Sequence, residues 1–301
     1  MLSSRAMEDV TTARPLAGRW IALELLPARP LTLLGPAWAA LCGALASGGL
    51  AWRGQSILFL ILAILLCDAL LGAWRARMLE SDWRAVARRL SASASTWLDI
   101  SADAPRSRFA RARERLAGLF AYARQIVLPT FNAEILGLVF AGSLAICIAA
   151  VLGQAVVALT SGAMLLVIIE RKAGAARGAG WRAAHEIGFA WLIAQSAFGF
   201  FSWLALFYAI LFTLIYRALI GVATTRQSRW LAWSNIAQLV LVLALYAARE
   251  PLAAGVAALG LLAQILWQAR FQLDRDGVAY ARRVQSYVMI AMLMTALALG
   301  F

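Results

Sequence analysis

The chain has 301 residues, of which 63% are hydrophobic and only 14% charged, with a mean hydropathy of +0.77. Soluble domains carry about 25% charged residues, so this composition excludes a soluble globular protein and points to an integral membrane protein. The formal net charge of +13 is gathered in a few segments between apolar runs. No soluble domain exists to present it to nucleic acid, and it suits positive-inside topology and anionic lipid headgroups instead.

In chain order, residues 1–28 open with MLSSRAMEDVTTARPLAGRW. They lack the basic, apolar and small-residue order of a cleaved signal peptide and read as a cytoplasmic tail. A spanning helix needs roughly 20 apolar residues. Runs of that kind cover 31–51 and 56–74. The segment 76–132 follows, with Trp83, Val86 and Leu90, then Phe109, Leu116, Leu119 and Phe120, at helical spacing. SASASTWLDISADAP breaks the two stretches. The pattern predicts an arginine-rich amphipathic cytoplasmic insertion, suited to lying in the membrane interface or docking a membrane-protein partner. Residues 134–170 are apolar for two span lengths, with a turn expected at Gly153–Gln154. Residues 187–217 are just long enough for two short helices turning near Gly199. Further spans cover 229–248, 251–269 and 284–300.

With nine spans and an internal N-terminus, the segments 75–132, 171–185, 217–229 and 270–283 share one side and hold nearly all the arginines between spans. Only Arg53 and Arg249 face the other way. That asymmetry is what the positive-inside rule asks for. The expected fold is an all-α integral membrane bundle of about nine transmembrane helices, N-terminus in and C-terminus out. Its expected location is the inner (cytoplasmic) membrane of a bacterium, with 29–301 as the transmembrane domain.

The inventory of chemistry is thin. Cys42, Cys67 and Cys147 lie in apolar runs without a CxxC or a histidine nearby and read as core residues. His185 is the lone histidine, in WRAAHEIGF beside Glu186. One imidazole makes no metal site, and it reads as an interfacial residue. AGAARGAG follows no strand and ends in no GK[ST], so it reads as an inter-helix connection, not a phosphate loop. Gln195, Asn235, Gln238 and Gln264 sit inside spans. Polar side chains at such depth line a cavity or hydrogen-bond between helices.

One resemblance goes further. RPLTLLGPAWAALCGALASGG (29–49) resembles the first helix of the UbiA superfamily of intramembrane prenyltransferases, nearest the chlorophyll and bacteriochlorophyll synthase branch. YARRVQSYVMIAMLMTALALGF (280–301) resembles that branch's C-terminal end. The resemblance implies a UbiA-type bundle, with functional segments after the second and sixth helices. It also implies Mg2+-dependent transfer of a polyprenyl group from its diphosphate, on two Asp-rich motifs. The first motif, Asn-Asp-x-x-Asp-x-x-x-Asp, falls within LCDALLGAWRAR on Cys67, Asp68, Leu71 and Arg75. One acid survives, and a basic residue takes the last place. The second should lie in YRALIGVATTRQSRWLAW, which contains no acid.

Asp68 is therefore the one candidate catalytic and metal-binding residue, and Mg2+ enters only if the chemistry persists. Asp68 is also expected to pair with Arg75 or with an arginine on a neighbouring helix. Arg75, Arg217, Arg226 and Arg229 are candidates to contact a diphosphate or headgroup. Two functions follow. One is a UbiA-like protein without the standard magnesium chemistry, binding an isoprenoid, quinone or pigment-type lipid, or acting as a subunit or assembly factor of a membrane complex. A photosynthetic membrane is the analogy here. The other is an active prenyltransferase moving a polyprenyl group from its diphosphate to an acceptor. A transporter would show paired discontinuous helices in symmetric halves, and the chain has no convincing repeat.

Overall fold

A computed structural model describes residues 31, 33–50, 53–80, 135–173, 178–199, 201–225, 227–270 and 273–301. The chain falls into two units, Met1–Glu24 with Ser81–Val139, and Leu25–Glu80 with Phe140–Phe301. All described residues except 135–139 belong to the second unit. The two amphipathic helices expected within 76–132 lie outside the described residues, apart from 76–80.

Among the described residues all regular structure is helical. Helix α1 spans Pro36–Ala46. Helix α2 (Gly54–Ile64), a π-helical segment π1 (Leu65–Leu70) and α3 (Leu71–Glu80) form one continuous rod. Helices α4 (Ile135–Leu152) and α5 (Gln154–Ala173) flank Gly153. A second composite rod joins α6 (Gly178–Ala183), the segment π2 (Ala184–Phe189) and α7 (Ala190–Phe198). Helices α8 (Trp203–Thr225), α9 (Ser228–Ala247), α10 (Pro251–Gln268) and α11 (Leu273–Gly300) complete the chain.

Six of the described helices are long and apolar enough to cross a membrane: Gly54–Leu79, Gln154–Lys172, Trp203–Thr225, Ser228–Ala247, Pro251–Gln268 and Asp276–Gly300. The chain is thus a multi-pass membrane protein, and the rows of exposed Leu, Ile and Val on α9 and α10 are surface that only a bilayer or a partner would cover.

The expected turns at Gly153 and near Gly199 coincide with helix breaks. Gly153 takes a positive φ of 128°, and α7 ends at Phe198 with Gly199 extended. Two expectations need correcting. The apolar run 31–51 is helical only over Pro36–Ala46, too short to span alone. Pro36 starts that helix, and Ser47 ends it by donating its hydroxyl to the Ala44 carbonyl at 2.6 Å before Gly48 turns with φ 65°. The helix expected from 187 begins at Gly178, so the HEIG stretch lies inside the rod and not at its edge.

Helix α8 is the hub. The most apolar stretch of this helix is 67% buried, against 28% for α9 and for α10. It packs on α6, π2, α9 and α11. Helix α1 is pressed between α7 and α11. At Gly43 a β-carbon would sit 2.2 Å from the Trp191 carbonyl oxygen, so this crossing requires glycine. Lipid-embedded helices gain little from apolar burial against one another, and such close backbone approach replaces it. Gln285 and Trp38 tie α11 to the start of α1. The amide oxygen of Gln285 accepts from the Leu33 and Leu34 backbone N–H groups, and the Trp38 indole donates to the Met289 carbonyl at 3.2 Å.

Candidate functional site

Both π segments carry ionisable groups inside a helical rod. Segment π1 holds Asp68, and π2 holds His185 and Glu186. In π1 the Leu71 N–H reaches back to the Leu66 carbonyl, an i to i−5 bond that admits one extra residue into the turn. Such π turns cost hydrogen-bond geometry and persist mostly where function or packing requires them. The two segments touch each other, and the Cys67 thiol points at the Ala190 carbonyl 3.9 Å away.

Around this junction the charges are paired. Glu186, 4% exposed, accepts from Arg182 Nε at 2.9 Å one helical turn earlier, and from the Tyr216 hydroxyl of α8 at 2.5 Å. His185 is buried beside it. Arg75 on α3 faces Glu170 on α5 in a two-pronged pair, Nη2 to Oε1 at 2.6 Å and Nε to Oε2 at 3.1 Å. Their side chains are 15% and 6% exposed. Arg171 adds a bond from its Nη1 to the Met78 carbonyl at 3.3 Å, so the ends of α3 and α5 are clasped twice.

The basic character continues across the same end of the unit. A β-carbon at Gly178 would lie 3.7 Å from Glu170 Oε1, and one at Gly180 would lie 3.4 Å from the Arg217 guanidinium. Arg217 in turn lies 5.5 Å from the centre of the Trp230 ring, as does Arg229. Trp230 rests on Gly221 of α8, where a β-carbon would come within 2.5 Å of the indole, so only glycine lets the ring lie flat there. Below Trp230 a groove of about 460 Å³ runs between α8 and α9. Leu211, Leu214, Trp233, Ile236 and Val240 line it, with Arg217 at one end. No acid lies in the first turn of α9, and Gln227 gives its N-terminus no side-chain cap.

Each expected site residue has a definite place. Asp68 is half-buried in π1. Arg75 pairs with Glu170 and so is not the partner foreseen for Asp68. Arg217 and Arg229 are brought together by Trp230, while Arg226 lies outside the described residues. Gln238 and Gln264 exchange two hydrogen bonds of 2.7 Å between α9 and α10. Asn235 and Gln268 repeat that exchange at 3.0 and 2.9 Å. Asn235, Gln238 and Gln264 are thus hydrogen-bonded between helices, and none of them lines the groove between α8 and α9. Gln195 is buried in α7, and its amide oxygen has no hydrogen-bond partner among the described residues.

Sequence reasoning missed Glu170, Arg182, Glu186 and Tyr216. The Arg182–Glu186 spacing of four was a usable signal. The Arg75–Glu170 pair, 95 residues apart in sequence, offered none.

Magnesium does not fit the positions that the UbiA resemblance assigns to it. Cys67 and Leu71 are packed in the core at 2% exposure each, and Arg75 brings a positive charge already engaged by Glu170. Magnesium wants an octahedron of oxygen ligands. Among the described residues no three His, Cys, Asp or Glu side chains gather as a metal-binding group. No protein-family model matches the chain, and neither does any curated protein or solved structure.

Proposed function

We propose that the chain is a UbiA-like membrane protein that has lost the diphosphate-ionising step and holds an isoprenoid, quinone or pigment-type lipid, alone or as a subunit or assembly factor of a membrane complex. One observation carries the reading. Where the first Asp-rich row would present carboxylates to magnesium, this chain has buried Cys67 and Leu71, and an Arg75 closed onto Glu170. Ionising an allylic diphosphate needs cations gathered around the leaving group. Here the neighbouring cation is neutralised by an internal carboxylate, and Asp68 is the one carboxylate at the four positions of that row. The remaining assets are apolar helix surface, interfacial arginines and a groove, which suit holding a lipid and not cleaving one.

The test is an assay of purified protein with Mg2+ and geranylgeranyl or phytyl diphosphate, followed by identification of what mild-detergent extraction carries along. The expected outcome is no diphosphate release, with a lipid, pigment or protein partner co-purifying. Magnesium-dependent turnover abolished by Asp68→Asn would establish the prenyltransferase instead.

A further inference from the structure

We infer that the groove between α8 and α9 is a binding site for one phosphate-headed membrane lipid, with Arg217 and Arg229 taking the headgroup and the groove taking one hydrocarbon chain. Three independent features of the groove converge on that ligand.

The first is charge. Arg217 and Arg229 are both exposed and each lies 5.5 Å from the centre of the Trp230 ring, and neither has a carboxylate partner among the described residues. The start of α9 adds to this. It has no acidic residue in its first turn and no side-chain cap, so the positive end of its dipole also favours an anion. Guanidinium groups match phosphate oxygens in a two-pronged geometry.

The second is polarity along the groove. Apart from Arg217, every lining side chain is apolar or aromatic. The Arg217 backbone sits well inside α8, but its side chain runs along Gly180 to reach Trp230 at the start of α9. A long basic side chain with its stem on apolar surface and its head at the polar boundary is the usual arrangement at a membrane interface.

The third is length. From Trp230 to Val240 is ten residues of helix, about 15 Å at the α-helical rise. A bilayer's hydrocarbon core is about 30 Å thick. The groove therefore reaches from the headgroup level to about the midplane, which is one leaflet deep. A single chain of a lipid in that leaflet fills it, with the phosphate at the arginines. A partner's transmembrane helix would run past the midplane and gain nothing from the paired cations.

This site goes beyond the proposed function and does not depend on it. A prenyltransferase or a complex subunit would hold such a lipid equally, so failure here leaves the loss of diphosphate chemistry untouched.

The experiment is native mass spectrometry of the full chain in detergent, titrated with phosphatidylglycerol, with phosphatidylcholine of the same chains, and with inorganic phosphate. The expected result is one phosphatidylglycerol held at least about tenfold more tightly than phosphatidylcholine, the scale of a lost charge-assisted hydrogen bond. Arg217→Gln with Arg229→Gln removes that preference. Trp233→Ala, which alters an exposed wall of the groove and leaves the core intact, weakens both lipids by a similar factor. Equal retention of the two lipids, or retention unchanged in the double arginine variant, overturns the proposal. Displacement of the lipid by millimolar inorganic phosphate, with Trp233→Ala silent, also overturns it, because the site would then be an anion pocket without a chain. A second copy of the protein occupying α9, one that no lipid displaces, overturns it as well.

Discussion

Two arginine sites at the same end of the unit have opposite fates. Arg75 on α3 meets Glu170 across the gap to α5, closes a two-pronged ion pair, and is 15% exposed. Arg217 on α8 meets no acid among the described residues and lies on an aromatic ring beside an open groove. The side chains are chemically identical. The difference is one carboxylate on the facing helix. An interfacial arginine with a buried acid opposite becomes part of the scaffold. One without such an acid keeps its charge for whatever the membrane supplies.

Removing the acid is the harshest way to break that contrast. Glu170→Gln leaves a guanidinium largely enclosed without its counter-charge, and losing one partner of a buried pair costs about 3 kcal/mol or more. The expected outcome is a large fall in thermal stability in detergent. The double change Arg75→Met with Glu170→Leu recovers most of the loss, since removing both charges removes the penalty. A Glu170→Gln variant as stable as the parent would show that the pair is solvated and structurally idle.

Gly221→Ala strikes the other site without touching a charge. A β-carbon there would lie 2.5 Å from the Trp230 ring, so the indole must leave its seat. Overpacking of this kind costs about 2 kcal/mol. The measurement is stability together with phosphatidylglycerol retention, and both should fall although Arg217 and Arg229 remain. Unchanged retention would mean that the two cations do not need their ring.

Parts of this picture were legible in the sequence and parts were not, for identifiable reasons. The breaks at Gly153 and Gly199 were readable, because glycine inside an apolar run two spans long marks where the backbone turns. The π segments were invisible, because a helical-periodicity reading assumes 3.6 residues per turn, and one extra residue within a stretch as short as LLCDAL or AHEIGF leaves no shift of register that residue type alone reveals. For the same reason the HEIG stretch looked like a helix edge. His185 and Glu186 look interfacial by residue type, and the contacts from Arg182 and Tyr216 help to make Glu186 habitable inside the rod. The basic residues of α8 and α9 were legible as candidate phosphate contacts. Their separation from Arg75 was not, since nothing local marks Glu170 as the acid that engages Arg75 and neither Arg217 nor Arg229.

The groove's back wall offers a gentler test. Helix α9 is held to α10 by the Gln238–Gln264 and Asn235–Gln268 exchanges. Gln264→Leu deletes two of these bonds and leaves Gln238 with Ser234 as its partner. Interhelical bonds in membranes are worth about 1 kcal/mol, so a modest loss of stability is expected. Gln238→Leu with Gln264→Leu should cost less than the single change, because no amide is left unsatisfied. If the single change costs nothing, α9 is held by apolar packing alone.

The smallest effect sharpens the comparison most. Arg217→Gln should change stability by no more than about 0.5 kcal/mol, because the side chain is exposed and breaks no ion pair when removed. Its cation–π contact with Trp230 is lost, but that of Arg229, at the same 5.5 Å from the ring, remains. The same conservative loss of charge at position 75 would remove the partner of a buried carboxylate, so Arg75→Gln should destabilise by several times as much. Thermal unfolding of the two variants side by side decides the matter. A wide gap between them means that the Glu170 carboxylate, and not membrane depth, separates a structural arginine from an available one. Equal losses would instead mean that Arg217 has a structural duty of its own along Gly180 and Trp230, where its aliphatic stem fills space that glutamine leaves empty.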